Sequence, residues 1–437
     1  MSLHHSAAVA PSYRIKRAGQ IGLALAVASA VAGLAPAAPA RAATTTCHGI
    51  RVTIVGTHSS DVIHGTPGRD VINGLRGNDT IYGGGGHDLL CGGSGADRLY
   101  GGAANDRLYG QLDQLRGAQE DGVERIGDTL RGGSGSDHLD GGTDARHADI
   151  VVNDIYTWDE SAHGVRIDLR TGTARGEGVD TFTGHKYSVI GSPFGDVVQG
   201  TGRRDRISTG AGRDDVYARG NDDFVDVDDI HRYPGGQADR AWGGLGDDQI
   251  SARGGEDRLG GGPGNDSIFA SGTGNDVLTG GDGRDSFYPQ IGNTDGPQAI
   301  RGGDGLDFLQ LEDSVILHNR DLSTGVWDMA TGDMTFTLGH DIELAVRDIE
   351  QAYLSTPRTA WTVTGTTRAD ELWGDTNSSR SSVFFDALDG DDEFEGTSGD
   401  DTFDGGPGND HTSGMYNGDD TCISVETIDG GDCDHIS

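Results

Sequence analysis

The chain has 437 residues, of which 75 are glycine and only 34% are apolar, and its formal net charge is −37. An acidic balance of this size disfavours nucleic acid as a partner, since that needs a basic face. Glycine and charge at these levels ordinarily mark a disordered chain, unless a regular register supplies order from another source.

Residues 1–42 read as a secretory signal peptide. Arg14, Lys16 and Arg17 form a basic start, Ala18 to Leu34 an apolar stretch, and Ala40-Arg41-Ala42 a small-residue cleavage site. No other stretch is long and apolar enough to span a bilayer, so no stable membrane span is expected after signal removal. Cys47 and Cys91 lie near one end, Cys422 and Cys433 near the other. Four cysteines in an exported chain allow three pairings, of which Cys47–Cys91 and Cys422–Cys433 are expected. No C-x-x-C suggests a metal thiolate.

Six consecutive nine-residue units follow, beginning at Gly56, Gly65, Gly74, Gly83, Gly92 and Gly101. The sixth position is always aspartate: Asp61, Asp70, Asp79, Asp88, Asp97 and Asp106. The eighth is always aliphatic: Ile63, Ile72, Ile81, Leu90, Leu99 and Leu108. The unit Gly92 to Tyr100 shows the whole pattern, G-G-x-G-x-D-x-U-x. The register breaks over 110–122 and returns with Asp128 and Leu130, then Gly132 to Asp137 with Leu139. This closes a first array, residues 43–142.

Residues 143–193 form a β-rich interruption. Val165 to Leu169 alternates and is followed by Thr171-Gly172, which predicts a hairpin. A second array spans 194–310, with Asp196, Asp205, Asp214 and Asp223 at nine-residue spacing, then Asp248, Asp257, Asp266, Asp276, Asp285 and Asp307. A second interruption, 311–363, holds Trp327 and Trp361, which are expected to pack under a cap rather than to grip carbohydrate. A weaker third array and a disulfide-pinned end occupy 364–437. It starts with Asp370 and Leu372 and is best formed at Asp392, Asp401 and Asp410, with Phe394 and Phe403.

These units resemble the repeats-in-toxin (RTX), or hemolysin-type, calcium-binding repeats. The resemblance implies an all-β fold, a parallel β-roll or calcium-binding β-solenoid, here in three repeat arrays with two β-rich interruptions. It implies that two units make one coil, so that turns stack on the same edge every 18 residues, with calcium held between successive coils. The implied metal ligands are Asp61, Asp70, Asp79, Asp88, Asp97, Asp106, Asp137, Asp196, Asp205, Asp214, Asp223, Asp248, Asp257, Asp266, Asp276, Asp285, Asp307, Asp392, Asp401 and Asp410.

Residue chemistry points the same way. Glycine permits the positive φ of a sharp turn, aspartate offers the hard oxygen that calcium prefers, and x-U-x is a short strand with an inward U. One buried aliphatic side chain per nine glycine-rich residues is too little to order the chain alone, so folding is expected to be linked to binding of several Ca²⁺ ions.

No H-E-x-x-H, G-x-S-x-G, phosphate-binding glycine loop or twelve-residue EF-hand loop appears. Each interruption spans about 50 residues, short of the roughly 100 of a usual catalytic domain. The expected function is therefore that of a secreted, extracellular, non-catalytic scaffold or surface-interaction protein folded by calcium, with a cell-surface or extracellular polymer as partner. The alternative is an extracellular hydrolase or polysaccharide-acting enzyme. Its signature would be a cleft of convergent acidic and aromatic side chains at an interruption.

Overall fold

A computed structural model describes residues 45–113, 125–144, 152–183, 188–228, 236–272, 274–289, 298–312, 323–337, 341–355, 359–374, 381–413, 418–429, 433 and 435–436. The signal-like segment 1–42 and much of the register break over 110–122 lie outside these residues. The described residues form strands and turns without a helix, and none of their segments is a helix long and apolar enough to cross a membrane.

Each nine-residue unit contributes one strand, and successive units alternate between two facing sheets. Val62–His64, Thr80–Gly85 and Arg98–Ala103 pair in parallel in the first sheet, with Ile63 against Ile81 and Ile81 against Leu99. Val71–Arg76, Leu89–Ser94 and Arg107–Asp113 do so in the second, with Ile72 against Leu90 and Leu90 against Leu108. An 18-residue offset thus sets every U side chain on another U. The strands reach beyond x-U-x, because the glycines of the turn also join the ladder, as at Gly84 and Gly102.

The first sheet is a single parallel ladder of seventeen described strands from Val62–His64 to Thr427–Asp429. Each of these two end strands has one partner, so the sheet is an open stack and not a closed cylinder. It runs without reversal through the segments between the repeat-rich stretches, by way of Val152–Thr157, Ser188–Ile190 and Gln351–Ser355.

The second sheet absorbs two insertions. Arg166–Asp168, Thr173–Arg175 and Val179–Thr183 form an antiparallel meander whose outer strands pair in parallel with the neighbouring coils. The hairpin expected from the 165–172 pattern is the first half of it. Ser323–Asp328, Asp333–Thr337 and Asp341–Arg347 repeat the arrangement. Each meander sets three strands where one coil would set one, so both widen the same face of the stack.

One apolar core runs between the sheets, from Ile63 past Leu90, Tyr156, Ile207, Leu278 and Phe385 to Cys422. Trp327, on the first strand of the second meander, and Trp361, on the coil strand paired with it, are 1% and 3% exposed within that core. Phe385, Phe394 and Phe403 stack at centroid distances of 5.4–5.9 Å where the third array replaces aliphatic U residues by aromatics. Disulfides join Cys47 to Cys91 and Cys422 to Cys433, one at each end of the stack.

Candidate calcium-binding edges

The aspartates stand where the chain turns from one sheet to the other, and they form two files. Ahead of the first sheet, Asp61 donates its backbone N–H to Oδ1 of Asp79 at 2.8 Å, Asp79 to Asp97 at 2.7 Å and Asp97 to Asp128 at 2.7 Å. Ahead of the second, Asp70 donates to Asp88, Asp88 to Asp106 and Asp106 to Asp137, at 2.7–2.8 Å. Later coils continue both files, through Asp196, Asp214, Asp239, Asp257 and Asp276 on one edge. On the other they pass through Asp205, Asp223, Asp248, Asp266, Asp285 and Asp307. Asp370, Asp392 and Asp410 follow on that second edge, and Asp401 stands opposite them.

Oδ1 is therefore committed to the ladder, and Oδ2 distinguishes the rungs. In Asp79, Asp88, Asp97, Asp106, Asp137, Asp214, Asp223, Asp248, Asp257, Asp266, Asp285, Asp307, Asp392 and Asp410 it is buried without a hydrogen-bond partner among the described residues. Asp239 belongs with them. An uncompensated buried carboxylate oxygen is expensive. Burial accordingly pushes Asp97, Asp106, Asp137, Asp214, Asp266, Asp307 and Asp392 up to about 7. It pushes Asp223 and Asp257 up to about 8 and Asp239 to about 9, with neighbouring carboxylates adding to the rise.

The turns are shaped for close approach. The second turn position has positive φ at Gly84, Gly93, Gly102, Gly244 and Gly262, among others, and at Leu75, Arg219 and Leu388. The first-position glycine leaves no room for a methyl group: a Cβ on Gly92 would strike the Asp97 carboxylate. No three His, Cys, Asp or Glu side chains converge on one point among the described residues. With roughly one carboxylate per turn, the other ligands of a six- to eight-coordinate ion must be backbone carbonyls, which calcium accepts. Orphaned, buried, hard oxygens in stacked files thus fit a divalent cation.

The RTX calcium-binding nonapeptide repeat family model, which describes four copies of the unit, matches residues 55–90, 92–114, 127–145, 190–225, 233–268, 269–295 and 386–414. The chain is an RTX calcium-binding repeat protein. No curated protein matches it.

The RTX files contain rungs that nine-residue counting does not reach. Asp154 and Asp180 carry them into the first interruption, accepting the N–H groups of Asp128 and Asp137 at 3.0 Å. Asp420 accepts that of Asp401, and two glutamates fill the same role, Glu350 for Asp307 and Glu426 for Asp410. Loops of irregular length precede these residues, so the spacing is lost. The local signal survives as an acid two positions before an inward residue: Asp154 before Tyr156, Asp180 before Phe182, Asp239 before Ala241, Glu350 before Ala352.

Proposed function

We propose that this protein is a secreted, extracellular, non-catalytic scaffold whose β-roll forms on calcium binding and then presents its sheet surfaces to an extracellular polymer. The file of buried, partnerless Oδ2 atoms carries the reading. At neutral pH the charged forms of those carboxylates repel one another in a buried site, and bound cations would neutralise them while tying coil to coil. The residues proposed to hold the ions are the aspartates with orphaned Oδ2, together with Asp276 on the same edge. The signal-like residues 1–42 and the two disulfides support an extracellular location.

A surface for the partner lies on the second sheet. Trp242, 38% exposed, stacks on Tyr217 with ring centroids 4.9 Å apart. Gly260 follows Trp242 on the next strand, so the far face of the indole stays open over a groove of about 560 Å³. Exposed Arg219 and Arg258 border the groove. An aromatic face beside guanidinium groups suits an anionic sugar polymer.

Among the described residues, a cleft of about 470 Å³ beside Tyr82, Tyr100 and Trp158 is a candidate for the enzyme alternative. Its acids already hold partners. Asp180 accepts the Trp158 indole N–H at 2.7 Å, Glu177 the Ala162 N–H at 2.7 Å, and Glu160 pairs with Arg131 at 2.5 Å. Each acid lining the cleft is held by a protein group, which favours the non-catalytic reading.

Circular dichroism of residues 43–437 with calcium and with excess chelator tests the proposal. Calcium should convert a disordered spectrum to a β spectrum, and the folded form should bind an acidic polysaccharide in a Trp242-dependent manner. Identical spectra in the two conditions would remove the calcium-driven fold.

A further inference from the structure

Six aspartates in the files differ from the rest, and they occur as three pairs. In Asp61, Asp70, Asp196, Asp205, Asp370 and Asp401 the second turn position is Thr or Ser: Thr57, Thr66, Ser192, Thr201, Thr366 and Thr397. In every case the backbone N–H of that residue donates to Oδ2, at 2.5–2.7 Å. Its hydroxyl donates to the same carboxylate as well, at 2.6–3.1 Å. None of the six hydroxyl residues has positive φ, whereas the glycines at the same position of the orphaned turns do. The residue type tracks the turn: Thr and Ser here keep ordinary φ and close on the carboxylate through N–H and hydroxyl, whereas glycine, like Leu75, Arg219 and Leu388, takes positive φ and leaves Oδ2 bare.

Position in the stack gives the pattern a purpose. Asp61 and Asp70 begin the two files. Asp196 and Asp205 are the first aspartates after the first meander, one per edge, and Asp370 and Asp401 the first after the second. Behind several of them no acid stands. The rung before Asp196 presents Val165, whose N–H donates to Asp196 Oδ1 at 2.7 Å, and the rung before Asp401 presents Val383 in the same way. Behind Asp370, Glu350 is held by Arg368 at 3.2 Å. A cation between coils needs carboxylate from both sides, and a first coil has it from one side only.

We propose that on each edge an array opens on a turn closed by its own hydroxyl and amide donors, which binds no calcium, and that ions begin one turn later on that edge. Thr57, Thr66, Ser192, Thr201, Thr366 and Thr397 decide where ion binding starts. The six aspartates they cap are structural, although they share the sequence signature of the ligands. This assignment deepens the calcium reading and rests on it.

The test is ion stoichiometry of the folded chain by equilibrium dialysis and elemental analysis at saturating calcium, with circular dichroism to verify folding. Asp106→Asn, at an orphaned rung, should lose one or two ions per chain. Asp70→Asn, two coils earlier on the same edge, should lose none. Thr66→Gly, which removes the cap and leaves Asp70 facing Asp88, should gain one. Equal losses from Asp70→Asn and Asp106→Asn would overturn the assignment, and so would an unchanged count in Thr66→Gly. A wild-type chain that binds no calcium would instead sink the calcium reading itself, so the two failures are distinguishable.

Discussion

Asp97 offers the sharpest test of the calcium-linked fold. Its Oδ1 accepts the Asp79 N–H and its Oδ2 has no partner, so Asp97→Asn keeps the ladder contact and removes only the charge. Burial raises Asp97 from 3.8 to about 7. Without metal the charged carboxylate is therefore disfavoured in the fold. The favourable, protonated contribution is complete below about pH 4 and is lost as pH rises through 7. By pH 8 this amounts to about 4 kcal/mol, an order-of-magnitude figure.

In calcium the balance changes. A site with a dissociation constant of about 10⁻⁴–10⁻³ M adds about 1.4–2.7 kcal/mol at 10 mM ion. Asp97 can serve the gaps on both sides of its coil, which doubles this to about 3–5 kcal/mol. The stability difference between Asp97→Asn and wild type should therefore shift by about 3–5 kcal/mol between chelator and 10 mM calcium at pH 8. The variant should be the more stable of the two in chelator and should have lost that advantage in calcium. Urea unfolding followed by circular dichroism measures the shift, with trimethylamine N-oxide in both buffers at a level that folds the metal-free chain. A difference of the same size and sign in both buffers would mean that no ion depends on Asp97.

Two further outcomes are expected. In chelator, acid should favour the fold, because carboxylates raised to about 7–9, such as Asp97, Asp223, Asp257 and Asp239, bind protons in the folded state before the unfolded one. The β signal should grow as pH falls from 8 toward 5, while calcium affinity weakens over the same range; a metal-free chain equally disordered at both pH values would contradict this. Cys91→Ser opens a disulfide of sequence separation 44 and should destabilise the first array by about 4 kcal/mol on the chain-entropy scale, and Cys433→Ser, with separation 11, the last coil by about 3 kcal/mol. Both losses should appear in the calcium-folded chain, as read by hydrogen exchange at each end.

The repeat units were legible because a roll with two units per coil turns a spacing of nine into stacked neighbours at eighteen. Ile63, Ile81 and Leu99 had to meet once the period was seen, and Asp79 had to follow Asp61 on one edge. Cys47–Cys91 was readable from placement, since the four cysteines fall as one couple toward each end of the chain. Where loops vary in length the count fails. Asp154, Asp180, Asp239, Asp420, Glu350 and Glu426 take their places in the files through strand pairing with distant coils, and no local spacing records that.

What the sequence by itself determined is the repeating unit: inward aliphatic, acidic turn, glycine where φ must be positive. These are local requirements, each met within nine residues. Only the tertiary structure decided that both interruptions enter the same sheet as three-stranded meanders while the other sheet passes them in one ladder. It also decided that irregularly spaced acids such as Asp154, Asp180 and Glu350 join the files. Both outcomes depend on which rung stands behind a given rung, and in a solenoid that neighbour lies a whole coil away along the chain.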